Sequence, residues 1–78
     1  MEKKYSELNI RQKMEMLITE MVEKEIDLDD ALREFEKCFY EIALAKYEGN
    51  KSRMAKALGV HRNTLHNRMK TLKVKPKR

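Results

Sequence analysis

Only two glycines and one proline interrupt this chain of 78 residues, at Gly49, Gly59 and Pro76. Breakers so few leave long stretches in which nothing stops a helix, and they mark the turns that must exist. All three fall in the last 30 residues. In the first 48, boundaries must instead be set by capping side chains and by the rhythm of apolar positions. The chain is therefore expected to be all-α, with four helices.

Ser6 is the expected cap of a first helix running to about Lys24. Ile10, Met14, Leu17, Ile18, Met21 and Val22 form one stripe at helical spacing, with Gln12, Glu15, Thr19 and Glu23 opposite. The pattern breaks over residues 25–28, where Asp27, followed by Asp30, suits the start of a new helix. The second helix is expected over about Leu28–Glu48. Its wide stripe is Leu28, Ala31, Leu32, Phe35, Cys38, Phe39, Ile42 and Ala45, and a core there would bury Cys38 as an inert thiol. A narrower stripe of Tyr40, Leu44 and Tyr47 lies more than about 100° away at helical spacing. Two coverings are open for these faces: the rest of the chain folds back, or a second subunit completes a helical dimer core. So short a chain buries only about 60% of its unfolded surface, which favours association.

Gly49 stands where a helix end needs positive φ, and Asn50 is a strong cap for the next helix. A short third helix is expected over Lys51–Leu58, ended by Gly59. A fourth follows over about Arg62–Leu72, capped at His61, with Val60 and Leu65 spaced as a hydrophobic staple. Residues 74–78 form a basic tail. The whole reads as one domain, with dimerisation helices over 1–48 and a helix-turn-helix over 49–73.

Charge follows the same division. Residues 1–48 hold 13 Asp or Glu and 8 Lys or Arg, net −5, whereas residues 49–78 hold 10 Lys or Arg and no acid, net +10, which together give the overall +5. A positive block gains affinity for a polyanion by neutralising phosphates and releasing counterions. Short helix, glycine turn, short helix is the helix-turn-helix outline. Ala55, four before Gly59, is small enough for a close helix crossing. With Leu65, Met69 and Leu72 turned inward, the outer arc of the fourth helix carries Asn63, Asn67 and Lys70, with His66 at its edge and Arg62 in the first turn. Arginine reads guanine and asparagine reads adenine in the major groove, so Arg62, Asn63, His66 and Asn67 are candidate base contacts. Asn50, Ser52, Arg53, Thr64 and Lys70 are candidate backbone contacts.

The run from Gly49 to Val74 carries a resemblance, in Gly49-Asn50, Ala55, Leu58-Gly59-Val60 and Arg62-Asn63-Thr64-Leu65. It resembles the helix-turn-helix of the Fis family (factor for inversion stimulation), a module that also closes enhancer-binding activators of the NtrC type. Upstream, residues 32–36 and the helix through Tyr47 are similar, more weakly, to that family's dimerisation helix. The resemblance implies a homodimer with an interlocked four-helix core, each subunit offering one recognition helix to double-stranded DNA, which bends. Leu17, Met21, Phe35, Tyr40, Leu44 and Tyr47 are the expected dimer contacts. It also implies a guanine contact for Arg62, backbone contacts for Asn50, Ser52, Arg53 and Thr64, and a place beside the bases for Asn63. The chain departs from the pattern at His61, His66, Asn67 and Thr71, where Fis carries a small polar cap or more basic residues. A different sequence preference or a weaker affinity follows.

Other chemistries find little support. His61 and His66 are five apart with no carboxylate or thiol beside them, a poor metal set. No nucleophile–base pair and no phosphate-cradling glycine loop is present, so neither an enzyme nor a cofactor or small-molecule site is expected. No apolar run is long enough for a membrane span, and a cytoplasmic, nucleoid-associated protein is the consistent expectation. Beside the alternative that the chain is the DNA-binding output domain of a larger NtrC-type activator, two rivals to a DNA-binding regulator stay open. One is a protein-interaction module with a solubilising basic tail. The other is RNA binding, disfavoured because all five aromatics, Tyr5, Phe35, Phe39, Tyr40 and Tyr47, lie outside the basic half.

Overall fold

The computed structural model describes residues 4–74. After a 3-10 turn at Tyr5–Glu7 come four helices: α1 (Ile10–Glu23), α2 (Leu28–Lys46), α3 (Lys51–Leu58) and α4 (Arg62–Leu72). No strand occurs among the described residues, in keeping with the all-α expectation. The cap of α1 is Asn9 and not Ser6, which lies in the 3-10 turn. Asn9 Oδ1 accepts from the Gln12 backbone N–H at 2.7 Å, and Gln12 Oε1 accepts from the Asn9 N–H at 3.0 Å, a complete capping box. The α3 and α4 caps fall as expected: Asn50 Oδ1 accepts from the Arg53 N–H at 3.1 Å and His61 Nδ1 from the Asn63 N–H at 3.2 Å.

All four helices close by one device, of which the glycines showed only part. In each, one residue turns left-handed and the N–H of the next residue reaches back to a carbonyl five positions earlier, as a Schellman motif requires. The left-handed residues are Glu25, Glu48, Gly59 and Lys73. The returning bonds are Ile26 to Met21, Gly49 to Leu44, Val60 to Ala55 and Val74 to Met69, all 2.9–3.0 Å. Thus α2 ends at Lys46, short of Glu48, because Glu48 itself takes φ 51° ahead of Gly49 at 79°. Val74 is not the start of a loose tail: it is half-buried and packs on the core, while the rest of the expected basic tail, 75–78, lies outside the described residues.

By packing, the chain falls into two units, one ending at Ala31 and the other starting at Leu32. In the first, α1 buries none of its residues. Leu17 and Ile18 of its apolar stripe are about half exposed and Ile10 is 82% exposed. In the second unit, Tyr40, Ala43 and Leu44 of α2 form a core with Met54 and Ala55 of α3 and Leu65, Met69 and Leu72 of α4. Tyr47, Leu58 and Val60 pack on its edge.

This core settles which stripe of α2 the chain covers with its own residues, and it is the narrow one. Tyr40 and Leu44, expected at a dimer contact, are buried beneath α3 and α4, and Tyr47 is half-buried on the same face. Within the single chain these three residues are packed by the fold itself. The wide stripe stays outside, with Leu32, Phe35, Phe39 and Ile42 all 48% exposed or more. Cys38, expected in a core, is exposed for the same reason. Phe35 and Phe39 face one another there, ring centroids 6.0 Å apart.

Candidate nucleic-acid interface

Everything about the basic surface follows from how α4 is seated. Leu65 is fully buried, Met69 and Leu72 nearly so, and Ala55 and Met54 of α3 complete the seat. Three inward residues at spacings of four and three consume one stripe of an eleven-residue helix and leave the remainder to solvent. Arg62, Asn63, Thr64, His66, Asn67 and Lys70 are all exposed. At the start of α3, Asn50, Ser52 and Arg53 are exposed as well. The structure thus displays all nine candidate DNA contacts, six on α4 and three at the head of α3. Its glycine turn has Gly59 at φ 72°, a conformation that costs an L-residue about 1 kcal/mol or more.

Two details add to the site. The Arg53 guanidinium lies 5.9 Å from the centroid of the Tyr47 ring, and Lys46 Nζ lies 5.5 Å from it. Tyr47 therefore gathers two cations at the junction of α2 and α3 through the negative face of its ring. Among the described residues no acidic group lies on α3 or α4, so nothing on these helices repels a phosphate.

Asn50 caps α3, a task separable from the phosphate contact expected of it. Asn50→Asp keeps an acceptor for the Arg53 N–H and should hold stability within about 0.5 kcal/mol, since both residues cap well. The added charge should nonetheless lower duplex affinity. Thermal melting and a binding titration of the one variant check both outcomes.

One residue of α4 went unnoticed in the sequence. Arg68 pairs with Glu36 of α2: its Nε donates to Glu36 Oε2 at 2.8 Å and its Nη2 donates to Oε1. The Tyr40 hydroxyl donates to Glu36 Oε2 at 2.9 Å. The Arg68 hydrogen bond, opposed by partial burial and aided by Tyr40, holds the Glu36 carboxyl below its ordinary 4.5. Burial, then the Glu36 hydrogen bond, pushes the Tyr40 phenol above its ordinary 10.0. Elsewhere, Glu20 pairs with Lys24, four residues on, at 3.2 Å.

The sign of the pH effect follows. A carboxylate with a lowered folded pKa adds stability above the unfolded value, and that stability is lost as pH falls through the folded one. Wild type should therefore lose stability on acidification below about pH 4.5, the ordinary value, and Glu36→Gln should lose less over the same range. Urea melts across that range test it; parallel acid losses in both proteins would remove Glu36 from the account.

The basic face, the turn and the seat of α4 are those of a helix-turn-helix, and comparison with known families agrees. No curated protein and no solved structure matches the chain. Residues 31–72, more than half of its length, match the family model described as bacterial regulatory protein, Fis family, a DNA-binding regulatory family and not one of enzymes. The segment spans α2 from its first turn, the whole core and both helices of the basic face, and on that match the chain belongs to the Fis family of bacterial regulatory proteins.

Proposed function

We propose that this chain is a homodimeric, sequence-selective binder of double-stranded DNA that acts as a transcriptional regulator or DNA-bending factor. The observation that carries the reading is the exposure of Arg62, Asn63, His66 and Asn67 on a helix whose opposite stripe is buried. Arg62 and Asn63 meet base edges, with His66 and Asn67 setting preference beside them. Asn50, Ser52, Arg53, Thr64 and Lys70 hold the backbone. In this division residues 49–73 bind DNA and residues 1–48 dimerise. The protein works on the cytoplasmic nucleoid, with no small-molecule ligand. No helix among the described residues is long and apolar enough to cross a membrane.

Homodimerisation is supported by what the single chain leaves uncovered. None of the residues of α1 is buried, and an amphipathic helix draws most of its stability from packing of its apolar face. The wide stripe of α2 adds Leu32, Phe35, Phe39 and Ile42 to the exposed apolar surface, and contiguous patches of that kind mark interaction sites. A second copy offers the same faces in return. Leu17, Met21 and Phe35 are contacts in this arrangement, and Phe39 and Ile42 join them.

A salt titration with duplex DNA and a solution mass test the reading together. Affinity for a duplex should fall steeply as salt rises, with a log–log slope near −0.9 per phosphate neutralised, and the mass should be twice that of the chain. Binding that ignores salt would favour a protein-interaction module, and a monomeric mass would remove the paired geometry.

A further inference from the structure

The DNA-facing helix is tied to α2 by an ion pair unlike the others among the described residues. Arg11–Glu15 and Lys24–Glu20 each join residues four apart on one exposed helix. Arg68 and Glu36 are 32 residues apart and meet through two donor–acceptor contacts, the fork-to-fork arrangement that fixes angle as well as distance. The carboxylate is itself held in place. Tyr40, whose ring is buried in the core, donates its hydroxyl to the same Glu36 oxygen that accepts from Arg68 Nε.

The position of Arg68 on α4 gives this pair its consequence. It lies three residues after Leu65 and four before Leu72, at the flank of the buried stripe. Leu65, Met69 and Leu72 all sit on one line, and a line of apolar contacts resists lifting the helix better than it resists rolling it about its axis. A lateral two-point contact to α2 blocks that roll. The roll is the motion that would swing Asn63 and Asn67 across base edges, where hydrogen bonds weaken steeply with misalignment. Both donors engaged by Glu36 are also occupied, so an anion would have to compete with a carboxylate for them.

We propose that Arg68 is a positioning residue of the DNA-reading helix: clamped by Glu36, it sets the rotation of α4 at which Arg62, Asn63 and Asn67 meet base edges, and it is not itself a phosphate contact. The inference rests on the DNA-binding reading above. It has a consequence that runs against simple electrostatics. Removing the negative charge of Glu36 should help any protein approach DNA, yet here it should impair selective binding.

The test uses the full chain with two duplexes of equal length, one carrying the sequence enriched from random DNA and one scrambled. Glu36→Gln and Arg68→Lys should each lower affinity for the enriched duplex roughly threefold to tenfold, the scale of a coupling carried through a packed network. Affinity for the scrambled duplex should hold or, for Glu36→Gln, rise slightly. Lysine preserves charge and loses the fork, so a phosphate contact would survive Arg68→Lys, with selectivity intact. That survival overturns the proposal, as does Glu36→Gln binding the enriched duplex as well as wild type does or better. A fall on both duplexes alike, whether from misfolding or from a lost phosphate contact, overturns it too. If the unaltered chain binds neither duplex, the DNA reading falls and the proposal with it. If the unaltered chain discriminates and Glu36→Gln discriminates equally, the proposal alone falls.

Discussion

Arg62→Ala is expected to weaken binding to an enriched duplex by about 1–3 kcal/mol and to relax preference at the base pair it reads, with little change on scrambled DNA. The expectation rests on placement. Arg62 is the first residue of α4, exposed, and one position after the His61 cap that fixes the helix start. A recognition helix meets bases with its N-terminal residues, and a bidentate guanidinium there discriminates where a point charge would only attract. Lys56→Ala, on the exposed side of α3, is the control and should change selectivity little. Measured affinities on both duplexes decide the matter. An equal loss on both would make Arg62 a backbone contact, and an unchanged footprint would remove it from base reading.

The largest effect on stability should come from Leu65→Ala. Leu65 is fully buried, with Met54 beside it in the same core and also without exposed surface. Removing a leucine side chain from such a site costs about 2–5 kcal/mol, the transfer term plus the cavity left behind. Against the roughly 5–15 kcal/mol that holds a domain together, that is a large share. For a chain of this size each kcal/mol moves Tm by about 4–8 °C, so the melting point should fall by at least about 8 °C. Duplex binding should fail at temperatures where wild type still binds, because α4 has lost its seat. Leu65→Met, close in volume, should cost less than about 1.5 kcal/mol. A small shift for the alanine variant would mean the core closes around the gap.

The two halves of the fold were unequally legible. From Gly49 onward the bounds of α3 and α4, their caps and their inward residues could be read in advance, because each rests on chemistry within a few positions. Gly59 adopts positive φ, Asn50 and His61 accept from nearby N–H groups, and Leu65, Met69 and Leu72 repeat at helical spacing. Upstream, local signals competed. Ser6 and Asn9 are both capping residue types, and the Gln12 side chain decided for Asn9 by closing the box. The ends at Glu25 and Lys73 carried no glycine to announce them, and at the end of α2 Glu48 turns left-handed one residue before the glycine that did. At Ile26 and Val74 an apolar residue follows the left-handed position, the companion a Schellman end often has.

Arg68 shows the other kind of gap. Its place beside the buried stripe of α4 was visible from spacing, as was that of Glu36 four before Tyr40. Nothing in either local pattern joins two residues 32 positions apart. The exposed wide stripe of α2 belongs to the same class. Periodicity shows that a helix has an apolar face, and it is silent on which of two faces the rest of the chain will cover.

What the sequence determined by itself was therefore local and electrostatic: the all-helical class, the helix-turn-helix, the acid-free basic half and the side chains α4 presents. Such properties depend on neighbours within one or two turns, and an ordered list of residues records them in full. Only the tertiary structure decided that Tyr40 and Leu44 are core, that Phe35, Cys38 and Phe39 face solvent in the single chain, and that Glu36 holds Arg68. Those outcomes depend on which surfaces meet across the fold: Met54, Leu65, Met69 and Leu72 share a core with the narrow stripe of α2, and the wide one stays exposed in the single chain.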